Sequence, residues 1–342
     1  MKEDPLVKVI SYLNLSVMVC VITIAGSILA LFFVWLGPYQ NTKAEVHVQA
    51  PTKPVSTETD LWQPPDSTEI EDTPEGDLIR YGRELVAHTS LYLGPRGKVM
   101  AISNGLNCQN CHLKAGKKLF GNNYSAVSTT YPKRRARSGK VESIEMRVNG
   151  CLERSLNGQK LDEDSREMRA FVAYMKWVGK DVVKGQYPNG AGLVSISELD
   201  RPADSLKGKI VFESQCARCH GMNGEGFREG DSPEWKYPPL YSDDSYNIGA
   251  GIYRLSSFAA YVKSNMPYGA TYDNPILTDE EAWDVAAYIN AMPRPYKDLS
   301  PDWPDIATKP FDHPFGPYAD TFPERQHKFG PFKPIKTAQI TN

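Results

Sequence analysis

Two five-residue stretches decide the fold of this 342-residue chain, because both follow the order cysteine, two other residues, cysteine, histidine. They read Cys108-Gln109-Asn110-Cys111-His112 and Cys216-Ala217-Arg218-Cys219-His220. Two thiols at this spacing bond the two vinyl groups of a haem, and the next histidine binds the iron. A redox dithiol or half of a zinc site are alternatives, but both motifs end in histidine and neither has a second cysteine pair as a zinc partner. The pattern predicts two covalently bound haem c groups, with His112 and His220 as iron ligands.

Helical patterns flank both motifs in the same order. Residues 77–86 carry apolar side chains at helical spacing before the first motif, and residues 205–212 read as a helix before the second. A closing helix follows each motif: one carries Met168 to Val178, and the other begins at the capping box formed by Thr278 and Glu281. The repeated order indicates an internal duplication. The predicted fold class is mainly α, with two class I cytochrome c-like haem domains in tandem.

The N-terminal segment is predicted to be a transmembrane helix. No residue from Val9 to Thr42 is charged, and the apolar run from Leu15 to Leu36 is long enough to cross a bilayer, which takes about 20 helical residues. A cleaved signal peptide is the alternative, but this run is too long for one and ends without a small-residue cleavage site. Lys2 and Lys8 precede the span, which favours a cytoplasmic N-terminus. We expect a single-pass protein of the inner (cytoplasmic) membrane, with its haem domains facing the periplasm or cell exterior.

Composition sets the remaining domain boundaries. Residues 40–75 are polar, interrupted by proline and aperiodic, which predicts a periplasmic linker behind an anchor at residues 1–39. The first haem domain is assigned to residues 76–185 and the second to residues 186–292. Residues 293–342 are rich in proline and aromatic residues, and we expect an extended tail that wraps across the domains. Disorder is the alternative for this tail, but its many aromatic residues favour docking.

Charge is close to balanced over the chain and uneven within it. Lys and Arg total 39 and Asp and Glu total 41, a net charge of −2 that disfavours nucleic acid as a partner. Between residues 114 and 154, however, cations greatly outnumber acids: Lys114, Lys117, Lys118, Lys133, Arg134, Arg135, Arg137, Lys140, Arg147 and Arg154. Guanidinium groups suit oxyanions, so this stretch predicts an anionic substrate. Balancing haem propionates, or lying on a solvated face, is the alternative for some of these cations.

Each haem iron needs a ligand on its second face, and that ligand sets the potential and function of the haem. In the second domain Met266 lies just before the closing helix, within Asn265-Met266-Pro267-Tyr268-Gly269, where small electron-transfer cytochromes place a methionine. Met222 lies too close to His220 to reach the opposite face, and Met292 lies at the end of the closing helix. Met266 is therefore the predicted ligand of the second haem.

The matching place in the first domain holds Cys151 and neither methionine nor histidine. An unpaired cysteine in an oxidising compartment is usually consumed by a disulfide, so its presence here requires a reason. A thiolate ligand lowers a haem potential and is also a nucleophile. Met146, Met100 and His88 are competing ligands, and a buried free thiol is the other interpretation of Cys151.

Three segments together resemble the dihaem thiosulfate dehydrogenases, which also act as tetrathionate reductases. They are residues 107–116 (NCQNCHLKAG), 131–141 (YPKRRARSGKV) and 147–158 (RVNGCLERSLNG), and the last is the most specific. The resemblance covers about residues 76–335, including the segment around Met266 and the tail around residues 315–320. A haem motif alone would indicate only a cytochrome c.

The resemblance implies a catalytic haem in the first domain, ligated by His112 and Cys151, and an electron-transfer haem in the second, ligated by His220 and Met266. It implies that anions bind to Arg137, Arg147, Arg154 and Ser155. The implied reaction joins two thiosulfates into one tetrathionate and passes two electrons to a cytochrome c or another respiratory acceptor. Some members of the family carry a lysine beside the methionine and exchange ligands on reduction, whereas this chain has Asn265 there.

Two other functions remain open at this stage. A membrane-tethered dihaem electron carrier between respiratory complexes needs only the haem motifs and their ligands, but it does not account for Cys151 among arginines. A sulfur-oxidising cytochrome that joins thiosulfate to a carrier-protein cysteine would need a partner subunit. Catalysis by the chain alone distinguishes the predicted enzyme from both alternatives.

Overall fold

The computed structural model of the chain describes Met18, Thr23 and residues 61–341. From residue 61 onward these belong to one of two structural units, Ser56–Asn342. The predicted anchor and the first part of the predicted linker lie outside the described residues, apart from Met18 and Thr23. Among the helices that the described residues form, none combines the length and hydrophobicity needed to cross a membrane.

Short helices and two small hairpins make up both halves of the described chain. The first domain contains α1 (Pro74–Ala87), α2 (Thr89–Leu93), α3 (Leu113–Gly116), α4 (Val127–Thr130), β1 (Lys133–Arg135), β2 (Lys140–Glu142), α5 (Ile144–Arg154) and α6 (Arg166–Val178). The second contains α7 (Ser205–Val211), α8 (Ala217–His220), β3 (Phe227–Arg228), β4 (Trp235–Tyr237), α9 (Leu255–Asn265) and α10 (Asp279–Asn290). The C-terminal segment contains α11 (Glu324–Phe329) and α12 (Lys333–Thr341).

Single-turn elements and hairpins complete the two domains. Short 3-10 turns lie at Ser67–Glu69, Cys108–Asn110, Gly251–Tyr253 and Ile306–Thr308, and a π-helical turn at Phe212–Cys216 joins α7 to α8. Both hairpins are antiparallel, with Lys133 opposite Glu142 in the first and Phe227 opposite Tyr237 in the second. The first hairpin brings the turn that carries Arg137 next to α5.

The closing helices form where the sequence predicts them. Ser165 precedes α6, and its hydroxyl accepts a hydrogen bond from the Met168 N–H at 3.1 Å. Thr278 and Glu281 form the predicted capping box of α10, with reciprocal bonds of 3.2 and 2.8 Å. These caps satisfy backbone N–H groups that have no partner in the first turn of a helix.

In each domain a glycine lets the opening helix cross the closing helix closely. A Cβ atom at Gly82 of α1 would lie 2.0 Å from the Ala170 carbonyl oxygen of α6. A Cβ atom at Gly208 of α7 would lie 1.9 Å from the Asp284 carbonyl oxygen of α10. The same crossing thus recurs in both domains, as expected for a duplication.

Each domain buries its own hydrophobic core behind its helix crossing. The first core includes Leu85, Val86, Leu152, Met168, Phe171 and Tyr174. The second includes Phe212, Phe258, Trp283, Val285, Phe332 and Ile335. Two helical domains in tandem, each with one core, agree with the predicted fold class.

The predicted linker is wrong at its C-terminal end. Trp62 and Ile70 are buried in the core of the first domain, and the Trp62 N–H donates to the Asn189 carbonyl at 2.9 Å. The Thr73 hydroxyl caps α1. Isolated apolar residues in an aperiodic, proline-rich stretch give no helical or strand signal, yet they dock as an extended segment. The first domain therefore begins no later than residue 62, whereas the predicted start was residue 76.

The tail also differs from the prediction, because it is not extended throughout. Its last part forms α11 and α12, and Phe332 and Ile335 are buried in the second core. Pro323 caps α11 and Pro334 is the second residue of α12, positions where proline needs no backbone N–H. These two of the ten prolines in the tail therefore start helices instead of breaking them.

The two domains are joined by direct hydrogen bonds. The Tyr261 hydroxyl of α9 donates to the carbonyl of Asn110, inside the first haem motif, at 2.6 Å. The Asn265 amide at the end of α9 donates to the Phe120 carbonyl at 3.1 Å. Helix α9 therefore connects the predicted second-haem ligand, Met266, with the segment that holds the first haem motif.

We predict that Gly82→Ala and Gly208→Ala each destabilise the protein, because the added methyl group would meet a backbone carbonyl that has no room to move. Overpacking of this kind costs about 1–3 kcal/mol. The expected result is a lower thermal unfolding midpoint of the holoprotein. Gly251→Ala is the control, since a Cβ atom there meets no heavy atom within 4 Å. Equal midpoints for all three variants would contradict the close helix crossings.

Candidate active site

The first haem motif is held by side-chain hydrogen bonds from its surroundings. Asn107 accepts from the Ser90 N–H at 2.8 Å, and Thr89 accepts from the Cys108 N–H at 2.9 Å. His112 Nδ1 lies 2.5 Å from the Asn122 carbonyl oxygen. Because that carbonyl only accepts, Nδ1 carries the proton and Nε2 keeps its lone pair for a metal.

The second motif repeats this arrangement. His220 Nδ1 lies 2.8 Å from the Pro238 carbonyl oxygen, so the ring again presents Nε2 as the free nitrogen. Burial lowers the pKa of His220, which keeps the imidazole neutral. A backbone carbonyl bound to Nδ1 is the arrangement that fixes the tautomer and orientation of a metal-ligating histidine.

The residues around both motifs fit a c-type haem. Cys108, Cys111, Cys216 and Cys219 are free thiols rather than disulfides. Burial raises the pKa of Cys108 and of Cys111 to about 12 and that of Cys216 to about 11, so these thiols lie in apolar surroundings. Among the described residues, the buried donors Trp235 Nε1 and Arg294 Nε have no hydrogen-bond partner. Donors of this kind suit carboxylates such as haem propionates.

Met266 directly follows α9. Its side chain packs against the second core, and so does that of Cys216 in the second haem motif. Its rival Met222 is 64% exposed. Ligation by Met266 remains a prediction.

The first domain brings the two predicted ligands of its haem together. Cys151 lies on α5, and its thiol interacts directly with the His112 ring. Two of the three rival ligands are placed less well, because Met146 is exposed and His88 pairs with Glu234 at 3.0 Å. The third, Met100, packs against the first core. Ligation by Cys151 also remains a prediction.

Arg147 is the main stabiliser of the Cys151 thiolate. Arg147 lies one helical turn before it on α5 and donates from Nη1 to Sγ at 3.0 Å. Burial raises the pKa of Cys151, but Arg147, His112 and Arg137 together lower it to about 6. The thiolate in turn raises the pKa of Arg147. At neutral pH the pair is therefore an anion and a cation in contact.

Arg137 lies in the turn between β1 and β2 and reaches the second domain. Its Nη1 donates to the Gly249 carbonyl at 2.8 Å. Burial, with the like charge of Arg154, lowers the pKa of Arg137 to about 10, so it stays charged at neutral pH. Arg137 acts electrostatically on the Cys151 thiolate and is the second cation of the site.

Arg154, at the end of α5, is engaged by a residue that the sequence analysis missed. Its Nη1 and Nη2 donate to the two carboxylate oxygens of Asp302 at 2.9 and 2.8 Å. Only 6% of the Asp302 side chain is exposed. No sequence signal links an aspartate in a proline-rich tail to an arginine so distant in the chain. Direct anion binding by Arg154 remains a prediction, although both terminal nitrogens already have a partner.

Ser155 caps the C-terminus of α5, and its N–H donates to the Cys151 carbonyl at 2.8 Å. Asn247 of the second domain, also missed from sequence, reaches the same helix end. Its amide donates to the Glu153 carbonyl at 2.9 Å and to Asn157 at 3.0 Å. The end of α5 that carries the predicted anion-binding residues is therefore covered by the second domain.

Comparisons with known proteins match both domains. The family described as SoxA/TsdA, cytochrome c domain, matches residues 98–182, and the cytochrome c family matches residues 205–293. A thiosulfate dehydrogenase of Psychrobacter arcticus is 37% identical over 242 residues, which are 70% of this chain and 71% of the relative. One of Stutzerimonas stutzeri is 35% identical over 234 residues, 68% of this chain and 73% of the relative.

A solved structure, the thiosulfate dehydrogenase (TsdBA) from Marichromatium purpuratum in its as-isolated form, is similar with a TM-score of 0.64 and 31% identity. The match covers 69% of this chain and 50% of the other, so this chain spans about half the length of that protein. The matches confirm two cytochrome c domains in tandem, and such domains bind haem c.

We predict that replacing Cys216 and Cys219 with serine leaves one covalently bound haem per chain instead of two. Thioether bonds need these thiols, and the first motif is left intact. Haem content per protein and the mass of the intact chain measure the result. Cys151→Ser is the matched control and retains both haems, because Cys151 lies outside both motifs. Loss of a covalent haem in that control would contradict the assignment.

Proposed function

Because the chain belongs to the thiosulfate dehydrogenase family, we propose that it oxidises two thiosulfate ions to one tetrathionate ion and releases two electrons. The observation that carries this proposal is the Cys151 thiolate, 3.0 Å from Arg147 and in contact with His112. A simple electron carrier has no use for a nucleophile held by adjacent cations. The named relatives support the same reaction.

Bound haem c supplies one-electron acceptors at this site, and we propose His112 and Cys151 as ligands in the first domain and His220 and Met266 in the second. Arg137 and Arg147 attract the thiosulfate dianion and lower its repulsion from the thiolate. The protein thereby brings two anions, the substrate and Cys151, within bonding distance, which solvent would oppose.

The oxidation of thiosulfate at Cys151 takes two steps, and each balances in atoms and electrons. In the first, Sγ forms a sulfur–sulfur bond with the outer sulfur of thiosulfate, and two electrons leave. In the second, the outer sulfur of another thiosulfate attacks the sulfur bound to Sγ. That bond breaks with its electron pair returning to Sγ, and tetrathionate departs. The thiolate is regenerated, so no proton is consumed.

We propose that the electrons pass from the first domain to the second and then to a cytochrome c or another respiratory acceptor. The hydrogen bonds of Tyr261 to Asn110 and of Asn265 to Phe120 support this route, because they fix α9 against the first haem motif. Reduction of tetrathionate is the same sequence in reverse. The direction that dominates depends on the haem potentials.

We further propose that residues 1–39 anchor the protein in the inner membrane, with the haem domains facing the periplasm or cell exterior. The uncharged run from Val9 to Thr42 supports the anchor. Covalent haem attachment outside the cytoplasm agrees with this orientation.

The test of the reaction is the visible spectrum of the purified, oxidised full-length protein before and after thiosulfate is added as the sole reductant. Growth of the reduced haem band, with tetrathionate recovered, is the expected result. No reduction by thiosulfate, with ready reduction by dithionite, would leave a tetrathionate reductase or an electron carrier. Adding tetrathionate to the reduced protein separates these two, since only the reductase reoxidises.

We predict that Cys151→Met lowers thiosulfate turnover by roughly a thousandfold or more, because the thioether cannot form the covalent intermediate. Both haems remain attached, and dithionite still reduces them. Initial rates with an artificial electron acceptor measure the effect. Turnover preserved in Cys151→Met or Cys151→His would rule out covalent attachment at this residue.

We predict that Arg147→Gln lowers kcat/KM for thiosulfate about 10- to 100-fold, the usual effect of losing a hydrogen bond to a buried charged group. Arg147→Lys keeps the charge and should lose less. The control is Arg134→Gln, which removes an exposed cation of the same basic stretch. If Arg134→Gln and Arg147→Gln lost equal activity, general attraction of anions rather than the contact with Cys151 would explain the effect.

A further inference from the structure

The C-terminal segment supplies a buried carboxylate to the arginines beside Cys151. Asp302 accepts two hydrogen bonds from Arg154, and its Oδ2 also lies 4.0 Å from Arg137 Nε. A carboxylate that is 6% exposed is costly to bury unless its charge is compensated, and here two guanidinium groups compensate it. The carboxylate therefore stands between two of the four residues predicted to bind the substrate anion.

Two further contacts hold the same segment against the turn that carries Arg137. The Trp303 N–H donates to the Arg137 carbonyl at 2.7 Å, and the Arg137 guanidinium lies 5.6 Å from the centre of the Trp303 ring. Pro304 packs so closely that a Cβ atom at Gly139 would lie 2.7 Å from its Cγ. Both the backbone and the side chain of Arg137 are thus in contact with the segment.

The second domain closes the other side of the arginine pair. Gly249 accepts from Arg137, and a Cβ atom at Gly249 would lie 2.6 Å from Arg154 Nη1. The Asn247 N–H donates to the Arg154 carbonyl at 3.1 Å. The Arg137 guanidinium therefore lies between Gly249 and the C-terminal segment, and the backbone of Arg154 is bonded to the second domain.

The Asp302 carboxylate affects the charge and position of both arginines. The positive charges of Arg137 and Arg154 repel each other. Without an anion between them, the two guanidinium groups would move apart or be held less firmly in place. Asp302 raises the pKa of Arg137 against the lowering effects of burial and of Arg154. It thereby keeps a charged guanidinium in the neighbourhood of Cys151 before any substrate arrives, so that little reorganisation is needed on binding.

We propose that Asp302 is a positioning residue of the thiosulfate site, an inference that rests on the proposed function of that site. Asp302 fixes Arg154 and, with Trp303, sets the orientation of Arg137. Arg154 then acts through Asp302 rather than by binding the anion itself. The C-terminal segment, not only the first domain, is in this way part of the substrate site.

The experiment measures thiosulfate-driven haem reduction of the full-length holoprotein by stopped-flow spectroscopy over a range of thiosulfate concentrations. In Asp302→Asn we expect the half-saturating concentration to rise about 10- to 100-fold, the loss typical of a displaced binding group, with a smaller change in the limiting rate. Asp302→Glu restores part of this loss, because it keeps the charge. Asp298→Asn, an exposed aspartate of the same segment, is the control and leaves both values unchanged.

An unchanged or lower half-saturating concentration in Asp302→Asn would overturn the proposal. The Asp302 carboxylate would then have no effect on thiosulfate binding or would weaken it. Absence of thiosulfate-driven reduction in the wild-type protein would instead mean that the proposed function fails. The wild-type measurement therefore separates the two failures.

The double variant Arg154→Gln/Asp302→Asn covers the case in which Asp302→Asn alone does not fold. It removes both charges, so no buried charge is left without a partner. The proposal expects the half-saturating concentration of the double variant to rise above the wild-type value about as much as in Asp302→Asn, because Arg137 again loses the carboxylate that orients it. A half-saturating concentration equal to that of the wild-type protein would overturn it.

Discussion

The candidate site depends on compensating partly buried positive charge. The arginines Arg137, Arg147 and Arg154 are each partly buried, and Arg137 and Arg154 also contact the second domain. The protein gives them two anions, the Cys151 thiolate for Arg147 and the Asp302 carboxylate for Arg154. The same attraction that stabilises the fold lowers the pKa of Cys151 to about 6 and makes it a nucleophile at neutral pH.

This constraint explains why the site is assembled from distant parts of the chain. The first domain alone supplies the nucleophile and the cations, and it would leave Arg137 and Arg154 facing each other without a partner. The second domain supplies the Gly249 carbonyl, and the C-terminal segment supplies Asp302. The contacts of Arg137 and Arg154 are therefore complete only when the second domain and the C-terminal segment lie against the first domain.

The sequence predicts those features whose chemistry is local. The haem motifs span five residues each, and Arg147 lies one helical turn from Cys151, so spacing alone relates them. Helix periodicity and caps likewise locate α6 and α10. Asp302 meets Arg154 only through the tertiary fold, and Trp62 docks on the first core from an aperiodic stretch, so neither contact leaves a sequence pattern. The tail helices were missed because their prolines lie in first turns, where proline does not break a helix.

Asn265 shows how one position links the haem domains in this chain. The resemblance implies that some relatives carry a lysine there, whose amine exchanges with the neighbouring methionine as an iron ligand. An amide has no comparable basic nitrogen, and the Asn265 amide already donates to the Phe120 and Tyr261 carbonyls. Its side chain thus holds the end of α9 against Phe120 in the first domain. Phe120 lies two residues before Asn122, whose carbonyl orients His112. In this chain the Asn265 side chain therefore links the end of α9 to the segment that follows the first haem motif.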